Sequence, residues 1–348
     1  MNRCRRILVG FGAIMLTLIG DASARGIDNR QSASGGMQRG KFTCYSVPYV
    51  SPHGIVYNSA GPLKGIWFTN ATLDAKSGAV EFVPKNGKTT AHVTPTPAAK
   101  PGSINFVAGN DSLWFTETSA NKIARIEPSR KITEYAIPTK GSKPFDIQHG
   151  PNDGAMWFTE SGVGKIGRID STGKITEFTV GAANDAPTSL MAQDGAIWFT
   201  EVGSGRIGRL MPSGKVSHFS AGPGRLTGDI TNSTDGALWA TKKSSVVRMK
   251  TDGSLSEFPL AGVVNTGAIF GHDEGVYIGA IKKDGQGAIL SVSGTGKVEE
   301  YDLPQKHLLP AAMAIDPDGG FFMTVSSDRP GQSVSMIWRL QLDSAKQK

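Results

Sequence analysis

Histidine is the residue type in this sequence that most directly suggests acid–base chemistry. There are six histidines in 348 residues, and His53 lies in the segment Ser51-Pro52-His53-Gly54-Ile55. An imidazole titrates near neutral pH, so it can accept or release a proton during a reaction. The alternative is a structural hydrogen-bonding role, which is the commoner role of a lone histidine.

A second histidine and several acidic residues complete the set of candidates. His307 lies just before Pro310, and we expect it either to approach His53 or to be a solvated loop histidine. Carboxylate oxygens bind hard cations, so acidic residues could bind a cation or line a ligand channel. The acidic candidates are Glu117, Glu160, Glu201, Asp146 and Asp229. The three glutamates each follow a Trp-Phe-Thr block, and a repeated residue can equally belong to the scaffold.

An internal repeat predicts the elements that position these residues. A short segment recurs around an aromatic residue, roughly every 40 residues, which is a spacing typical of β-propeller blades. The copies are Ile66-Trp67-Phe68-Thr69, Leu113-Trp114-Phe115-Thr116, Met156-Trp157-Phe158-Thr159, Ile197-Trp198-Phe199-Thr200, Leu238-Trp239-Ala240-Thr241, Val276-Tyr277-Ile278 and Phe321-Phe322-Met323-Thr324.

A second series, a turn followed by an alternating strand, predicts the outer strand of each blade. Six copies start at Gly87-Lys88, Arg130-Lys131, Gly173-Lys174, Gly214-Lys215, Gly253-Ser254 and Gly296-Lys297. A seventh copy, residues 40–48, precedes the first blade, whereas no outer strand follows Ile337-Trp338-Arg339-Leu340. We therefore predict an all-β fold, a seven-bladed β-propeller closed by an N-terminal strand that pairs into the last blade. This closure leaves no large exposed edge.

Each blade is expected to have four strands, from A at the channel to D at the rim. Strand A begins with Pro, two variable residues and an aliphatic residue, and strand B carries the Trp-Phe-Thr block. The start of strand A and the B-to-C loop then open on the same mouth of the channel. His53 and the three glutamates are accordingly predicted at that mouth, and the tryptophans are predicted to fill the space between blades.

The N-terminus predicts export from the cytoplasm. Arg3, Arg5 and Arg6 precede the apolar run 7–19 and the small residues Ala22-Ser23-Ala24, the pattern of a signal peptide cut after Ala24. A membrane span needs roughly 20 apolar residues, so we expect no stable membrane span after cleavage. The predicted location is the periplasm or the extracellular medium.

Charge and cysteine content narrow the expected partners. The leader contributes +2 of the formal charge of +7, which leaves +5 on the mature chain. This charge is scattered among turns, so a nucleic-acid partner is not expected. Cys44 becomes the only cysteine of the mature chain, and we predict a small buried hydrophobic residue rather than a reactive thiol.

The predicted organisation has four parts. A signal peptide (1–24) and a flexible segment (25–39) precede the propeller (40–342), and a short tail follows (343–348). The expected protein is a monomer that holds a small-molecule or cell-envelope ligand at one channel mouth.

The residues of the repeat resemble those of the virginiamycin B lyase (streptogramin lyase) family over essentially the whole mature chain. The resemblance is carried by Leu113-Trp114-Phe115-Thr116-Glu117, Asn121-Lys122-Ile123 and Lys131-Ile132-Thr133-Glu134-Tyr135. It implies a propeller enzyme, a carbon–oxygen lyase that opens the cyclic ester of streptogramin B antibiotics by elimination. It also implies Mg²⁺ as a cofactor.

The resemblance further implies histidines at the starts of late A strands, with a glutamate nearby. Pro52-His53-Gly54-Ile55 matches that motif, but Gly267 and Ala311 stand at the corresponding positions of the sixth and seventh blades. Val325 fills the position in the seventh blade that the glutamates hold in the second, third and fourth blades. Two other functions therefore stay open, a non-catalytic ligand- or protein-binding propeller of the cell envelope and a lactonase-like hydrolase.

Overall fold

The computed structural model describes residues 24–26, 40–47, 52–71, 78–83, 88–106, 112–151, 153–273, 275–329 and 336–342. Almost all of the predicted signal peptide, most of the predicted flexible segment and the whole predicted tail lie outside the described residues. No helix within the described ranges is long and apolar enough to cross a membrane.

The described chain is built of short strands. Two of them, β1 (Ala24–Gly26) and β2 (Gly40–Ser46), precede the first blade. Six blades follow in chain order: β3 (Pro52–Asn58), β4 (Gly65–Asn70), β5 (Gly78–Val83), β6 (Lys88–Val93); β7 (Pro101–Phe106), β8 (Leu113–Glu117), β9 (Lys122–Ile126), β10 (Ile132–Ala136); β11 (Pro144–His149), β12 (Met156–Glu160), β13 (Lys165–Ile169), β14 (Ile175–Thr179); β15 (Pro187–Gln193), β16 (Ala196–Glu201), β17 (Arg206–Leu210), β18 (Val216–Ser220); β19 (Leu226–Asn232), β20 (Leu238–Lys242), β21 (Ser245–Met249), β22 (Leu255–Pro259); β23 (Val263–His272), β24 (Gly275–Lys282), β25 (Gln286–Ser293), β26 (Val298–Lys306). The last blade contains β27 (Leu308–Ile315), β28 (Phe321–Ser327) and β29 (Met336–Leu342).

The ring is closed by the N-terminal strand, as the sequence predicts. The seventh sheet has the order β1-β2-β29-β28-β27, so β2 supplies the outer strand that the last blade lacks. In the antiparallel register of β2 and β29, Cys44 lies opposite Trp338 and Tyr45 opposite Ile337. The seven-bladed, all-β architecture is confirmed, and β2 covers the outer edge of β29, which would otherwise be unpaired.

The tryptophans fill the space between neighbouring blades. Trp67, Trp114, Trp157, Trp198 and Trp239 are at most 1% exposed. Each packs against the blade that follows it; Trp67, for example, lies in one cluster with Ile104 and Phe115. The prediction that these residues are structural is confirmed, because no indole reaches the surface to hold a ligand.

A threonine on strand B links each of several blades to the next. The Thr159 hydroxyl accepts a hydrogen bond from the Asp146 backbone N–H and donates one to the Thr188 carbonyl oxygen of the next blade, at 3.0 and 2.9 Å. The corresponding hydroxyls that donate to the next inner strand are those of Thr69, Thr116, Thr200 and Thr324. Thr324 donates to the His53 carbonyl oxygen at 2.6 Å, so this contact joins the seventh blade to the first.

Replacing Thr159 with valine should destabilise the propeller by about 1–3 kcal/mol, because it leaves a buried N–H and a buried carbonyl without partners. The volume of the side chain hardly changes, so lost packing contributes little. The measurement is the denaturant midpoint of unfolding. Thr176→Val, at an exposed position of the outer strand of the same blade, is the control and should shift stability by less than about 0.5 kcal/mol. Equal midpoints for the two variants would contradict the role assigned to the hydroxyl.

Candidate functional site

The seven inner strands line a central channel with a cavity of about 410 Å³. Its wall consists of equivalent positions of β3, β7, β11, β15, β19, β23 and β27. These strands start at one mouth of the channel, which we call the His53 mouth, and they end at the other. A concave site with apolar walls and a few convergent polar groups is the usual form of a small-ligand pocket.

Two rings dominate the His53 mouth. The imidazole of His53 meets the ring of Phe145 edge to face, with 6.2 Å between centroids. These residues belong to the first and third blades, and Gly102 lies between them in the second blade. Phe145 is 40% exposed, which is unusual for a phenylalanine and leaves apolar surface open to a ligand.

The surroundings of His53 favour its neutral form. The residue is exposed at the mouth, where the walls of the narrow channel lie around its ring. This desolvation, together with the positive charge of Lys100, lowers the pKa of His53. A neutral imidazole can accept a proton or a hydrogen bond, so His53 is suited to act as a base or a polar contact.

Asp146, one residue further into the channel than Phe145, is hydrogen-bonded to the neighbouring strands of the channel wall. One carboxylate oxygen accepts hydrogen bonds from the Ser103 hydroxyl (2.7 Å) and the Ile147 N–H (2.8 Å). The other accepts from the Ser189 hydroxyl (2.9 Å) and the Leu190 N–H (3.0 Å). These four donors occupy the carboxylate, which joins three neighbouring inner strands.

Asp229 occupies the same position two blades further on. Its carboxyl group receives fewer hydrogen bonds than that of Asp146. It accepts a hydrogen bond from the Ile269 backbone N–H. Burial, and then the negative charge of Asp146, raise the pKa of Asp229 to about 7. Asp229 can therefore exchange a proton near neutral pH.

The glutamates that end strand B lie away from the channel wall. Glu117, Glu160 and Glu201 are fully buried, and each meets a residue of the outer strand of its own blade. Burial, and then the charge of Glu134, raise the pKa of Glu117 to about 8. Burial and the charge of Glu177 likewise raise the pKa of Glu160 to about 8.

A proton shared between two carboxyl groups explains this arrangement. Burial opposes ionisation of Glu134, but hydrogen bonds from Lys122 and Thr96 outweigh it and lower its pKa. Protonated Glu117 can then donate a hydrogen bond to ionised Glu134. The two oxygens of Glu117 have no other partner among the described residues.

Other blades fill the same two positions with different pairs. In the fourth blade, Glu201 lies 3.3 Å from His218 and also receives a hydrogen bond from Arg206 at 2.9 Å. In the fifth blade, Lys242 and Glu257 form an ion pair at 2.8 Å. The positions of Glu117, Glu160 and Glu201 therefore favour the second interpretation, in which a repeated residue belongs to the scaffold of its blade.

In the seventh blade the same two positions hold apolar residues, and one of them is Cys44. In the seventh blade Val325 and Cys44 take these positions and pack in one hydrophobic cluster. Cys44 is 1% exposed and forms no disulfide. The prediction of a small buried hydrophobic residue is confirmed.

His307 lies outside the channel lining. Its backbone is left-handed (φ 62°), and its Nδ1 lies 3.2 Å from both carboxylate oxygens of Asp328. No contact joins His307 to His53 among the described residues. The structure therefore places the two candidate histidines in separate surroundings.

Several residues of the channel wall are not singled out by the sequence. Phe145 lies at the His53 mouth. Ser103 and Ser189 lie below it around Asp146, and we call these three polar residues the polar belt. Further in, Asn105 hydrogen-bonds Gln148. The available signal is their position, because each follows the Pro of its inner strand by one to four residues. Their residue types differ from blade to blade, so the repeat alone does not mark them.

The sequence profile of the virginiamycin B lyase family matches residues 30–227 and 190–330. This chain belongs to the virginiamycin B lyase family. No curated protein matches it in sequence.

Solved structures of proteins named as lyases of this kind are similar to this chain. A virginiamycin B lyase from Staphylococcus aureus, a catalytically inactive variant with quinupristin, is 26% identical, with a TM-score of 0.72; the match covers 92% of this chain and 100% of that one. A streptogramin B lyase is 24% identical with a TM-score of 0.76, over 88% and 100%. A putative 6-phosphogluconolactonase from Bacteroides fragilis NCTC 9343 shares the fold, at 14% identity and a TM-score of 0.56, over 83% and 97%.

The residues at the His53 mouth do not fit the magnesium ion that the virginiamycin B lyase family implies. Mg²⁺ requires several well-placed oxygen ligands, but four hydrogen-bond donors already occupy Asp146. Asp229 holds a proton up to about pH 7. Among the described ranges, no group of three or more His, Cys, Asp or Glu side chains could hold a metal ion. A lactonase-like site with several carboxylate ligands is likewise not formed by the described residues.

Proposed function

We propose that this propeller binds a small ligand at the His53 mouth of its central channel. The observation that carries the proposal is the joining of Phe145 and His53 over a cavity of about 410 Å³. Phe145 offers an exposed apolar ring, and neutral His53 offers a polar atom that orients the ligand. The polar belt of Ser103, Asp146 and Ser189 ends the apolar part of the pocket.

Membership of the virginiamycin B lyase family supports the same location and suggests a probe. A relative with 26% identity has been solved with quinupristin, so a cyclic ester of this kind is a suitable first ligand. The absence of histidine at Gly267 and Ala311 favours binding over the chemistry implied by the family, because two proton-transfer groups are missing from this mouth.

Quinupristin binding to the wild-type chain should weaken about tenfold or more in Phe145→Ala, since burial of one aromatic contact contributes on the order of 1.5–3 kcal/mol. His53→Ala should weaken it by a smaller factor. Isothermal titration calorimetry gives both dissociation constants. The control is His149→Ala, because His149 is exposed at the opposite end of its inner strand. Equal affinity in all four proteins, or no binding to the wild type, would contradict the proposal for this ligand class.

A second candidate function is carbon–oxygen elimination with His53 as the base. It is favoured by the lowered pKa of His53 and by its place in the Pro-His-Gly-Ile motif of the family. In this step His53 removes the proton α to the carbonyl, the released electron pair forms a carbon–carbon double bond, and the ester C–O bond breaks. The departing carboxylate leaves the ring open, and the product has the mass of the substrate.

Mass spectrometry of quinupristin incubated with the enzyme, with and without Mg²⁺, tests this second function. Elimination yields a linear product of unchanged mass, whereas hydrolysis adds one water. Turnover must disappear in His53→Ala and persist in His149→Ala. An intact substrate at high enzyme concentration would leave ligand binding as the sole function for this compound.

A further inference from the structure

Three cationic residues surround the His53 mouth. Lys100, Lys143 and Arg225 each stand immediately before an inner strand, in the second, third and fifth blades. We call these three residues the cationic rim. The turn that carries the lysines is a repeated one, because Lys100, Lys143 and the equivalent Ala186 all have left-handed backbones, with φ of 53°, 48° and 50°. Pseudo-symmetry thus puts the two lysines in the same place relative to the channel.

The rim charges are available to a ligand. All three side chains belong to exposed residues, and none of them forms an ion pair with an acid among the described residues. Lys100 is close enough to His53 to lower its pKa. A ligand that reaches His53 therefore also experiences the field of the rim.

Two acidic residues on this face do not cancel the charge of the rim, because each is paired with another cation. Asp185 pairs with Arg206 at 3.3 Å and Asp284 with Lys306 at 3.2 Å. Further exposed cations lie in the loops of the same face; they are Lys140, Lys243 and Lys283. The face around the mouth thus carries a net positive charge over the described residues.

The opposite face is organised differently. There, Arg248 of a third strand stacks on buried Trp239 and pairs with Asp235. Arg168 of another third strand pairs with Asp153 at 2.8 Å. These two arginines have acidic partners, whereas the three cations of the rim form no ion pair with an acid among the described residues.

The interior of the channel has the opposite sign to the rim. Asp146 lies three residues beyond Lys143, about 10 Å along an extended strand, and Asp229 lies at the same depth. An anion that moved inward would meet these carboxyl groups. An anionic group is therefore favoured at the rim, and an uncharged ring is favoured against Phe145.

We propose that the cationic rim selects a small ligand with an anionic group, a carboxylate or phosphate, attached to an aromatic or apolar body. The anion lies among Lys100, Lys143 and Arg225, and the apolar body covers Phe145 beside His53. This inference rests on the proposed ligand-binding function and adds the charge of the ligand to it. Charges of this kind raise both affinity and association rate at low ionic strength.

Three aromatic probes of similar size test the charge preference: phenyl phosphate, benzyl alcohol and benzylamine. Ligand-detected NMR titration at low salt should show that phenyl phosphate binds the wild type at least tenfold more tightly than benzyl alcohol, and benzylamine least. Added sodium chloride should weaken the binding of phenyl phosphate alone, because salt screens exposed charges.

The decisive variant is Lys100→Gln/Lys143→Gln/Arg225→Gln, which should bind phenyl phosphate about tenfold more weakly and benzyl alcohol unchanged. Its control is Lys131→Gln/Lys174→Gln/Lys215→Gln, which removes the same charge from exposed turns on the opposite face and should bind like the wild type. Equal loss in both triple variants would show an effect of net charge and overturn the proposal.

The outcomes separate this inference from the proposed function. Benzyl alcohol binding that depends on Phe145, with no preference for phenyl phosphate, refutes the cationic rim and leaves the ligand pocket standing. No binding of any probe to the wild type at millimolar concentration refutes both. Phenyl phosphate binding that survives in the rim variant also refutes the inference, because the anion then lies elsewhere.

Discussion

Replacing Phe42 with alanine should lower the free energy of unfolding by about 3–5 kcal/mol, the usual cost of removing a buried aromatic side chain. Phe42 is 4% exposed, and its ring meets Trp338 edge to face with 6.2 Å between centroids. It also lies in one cluster with Tyr301 of the preceding blade. The variant thus loosens the seventh blade and its contact with the sixth.

The position of Phe42 in the chain makes this loss different from that of an ordinary core residue. Its strand is joined to the last blade by packing and backbone hydrogen bonds across nearly the whole sequence, as the pairing of Cys44 with Trp338 illustrates. Opening at this point releases the closure of the ring. We expect the amides of β29 to show a larger gain in hydrogen exchange than those of β13 in the third blade.

The control for Phe42→Ala is Lys41→Ala, at an exposed position of the same strand, which should change the denaturant midpoint by less than about 0.5 kcal/mol. A Phe42→Ala protein with an unchanged midpoint would contradict closure by this strand. Uniform loss of exchange protection in all blades would show that closure is not locally weaker.

The second large effect concerns pH. The pKa values of Glu117 and Glu160 are raised to about 8 from an ordinary value of 4.5. In the unfolded chain these groups ionise near pH 4.5, whereas in the folded chain they keep their protons until about pH 8. The folded state therefore binds more protons in this range, and stability falls as the pH rises from about 4.5 to about 8.

Glu117→Gln/Glu160→Gln should remove this part of the pH dependence, because an amide imitates the protonated acid and can donate to Glu134 and Glu177. At pH 8.5 the double variant should unfold at a temperature about 3 °C or more above the wild type. At pH 4.5 the two proteins should unfold at nearly the same temperature. Thermal unfolding followed by circular dichroism at the two pH values provides the measurement.

Asp194→Asn, at an exposed carboxyl group, serves as the control for the glutamate variant and should not change the difference between the two pH values. If the double variant is instead less stable than the wild type at pH 8.5, the glutamates are ionised in the folded state. Their burial would then have to be compensated by cations, and the shared-proton arrangement would be wrong.

Much of the architecture is predictable from this sequence because it depends on periodicity. Seven aromatic positions and seven outer strands specify seven blades, and the misplaced strand at residues 40–46 can pair only where an outer strand is missing. The apolar character of Cys44 follows from the same alignment, since it stands in a strand pattern of the last blade.

The composition of the site is less predictable, because it depends on which side chains from different blades meet. The sequence marks His53 by its motif, but the contact of His53 with Phe145 joins the first and third blades and exists only because the ring brings their inner strands together. The glutamates are visible as a repeat, yet their burial against outer-strand partners such as Glu134 depends on how the strands of one blade stack.

The sequence by itself determined the seven-bladed ring, its closure by an N-terminal strand and the position of His53 at the start of an inner strand. Only the tertiary structure decided that His307 pairs with Asp328 and that Glu117, Glu160 and Glu201 lie buried within blades. It also decided that Lys100, Lys143 and Arg225 share one mouth. Strand periodicity fixes the face on which a side chain lies, whereas its neighbours depend on the curvature and closure of the whole ring.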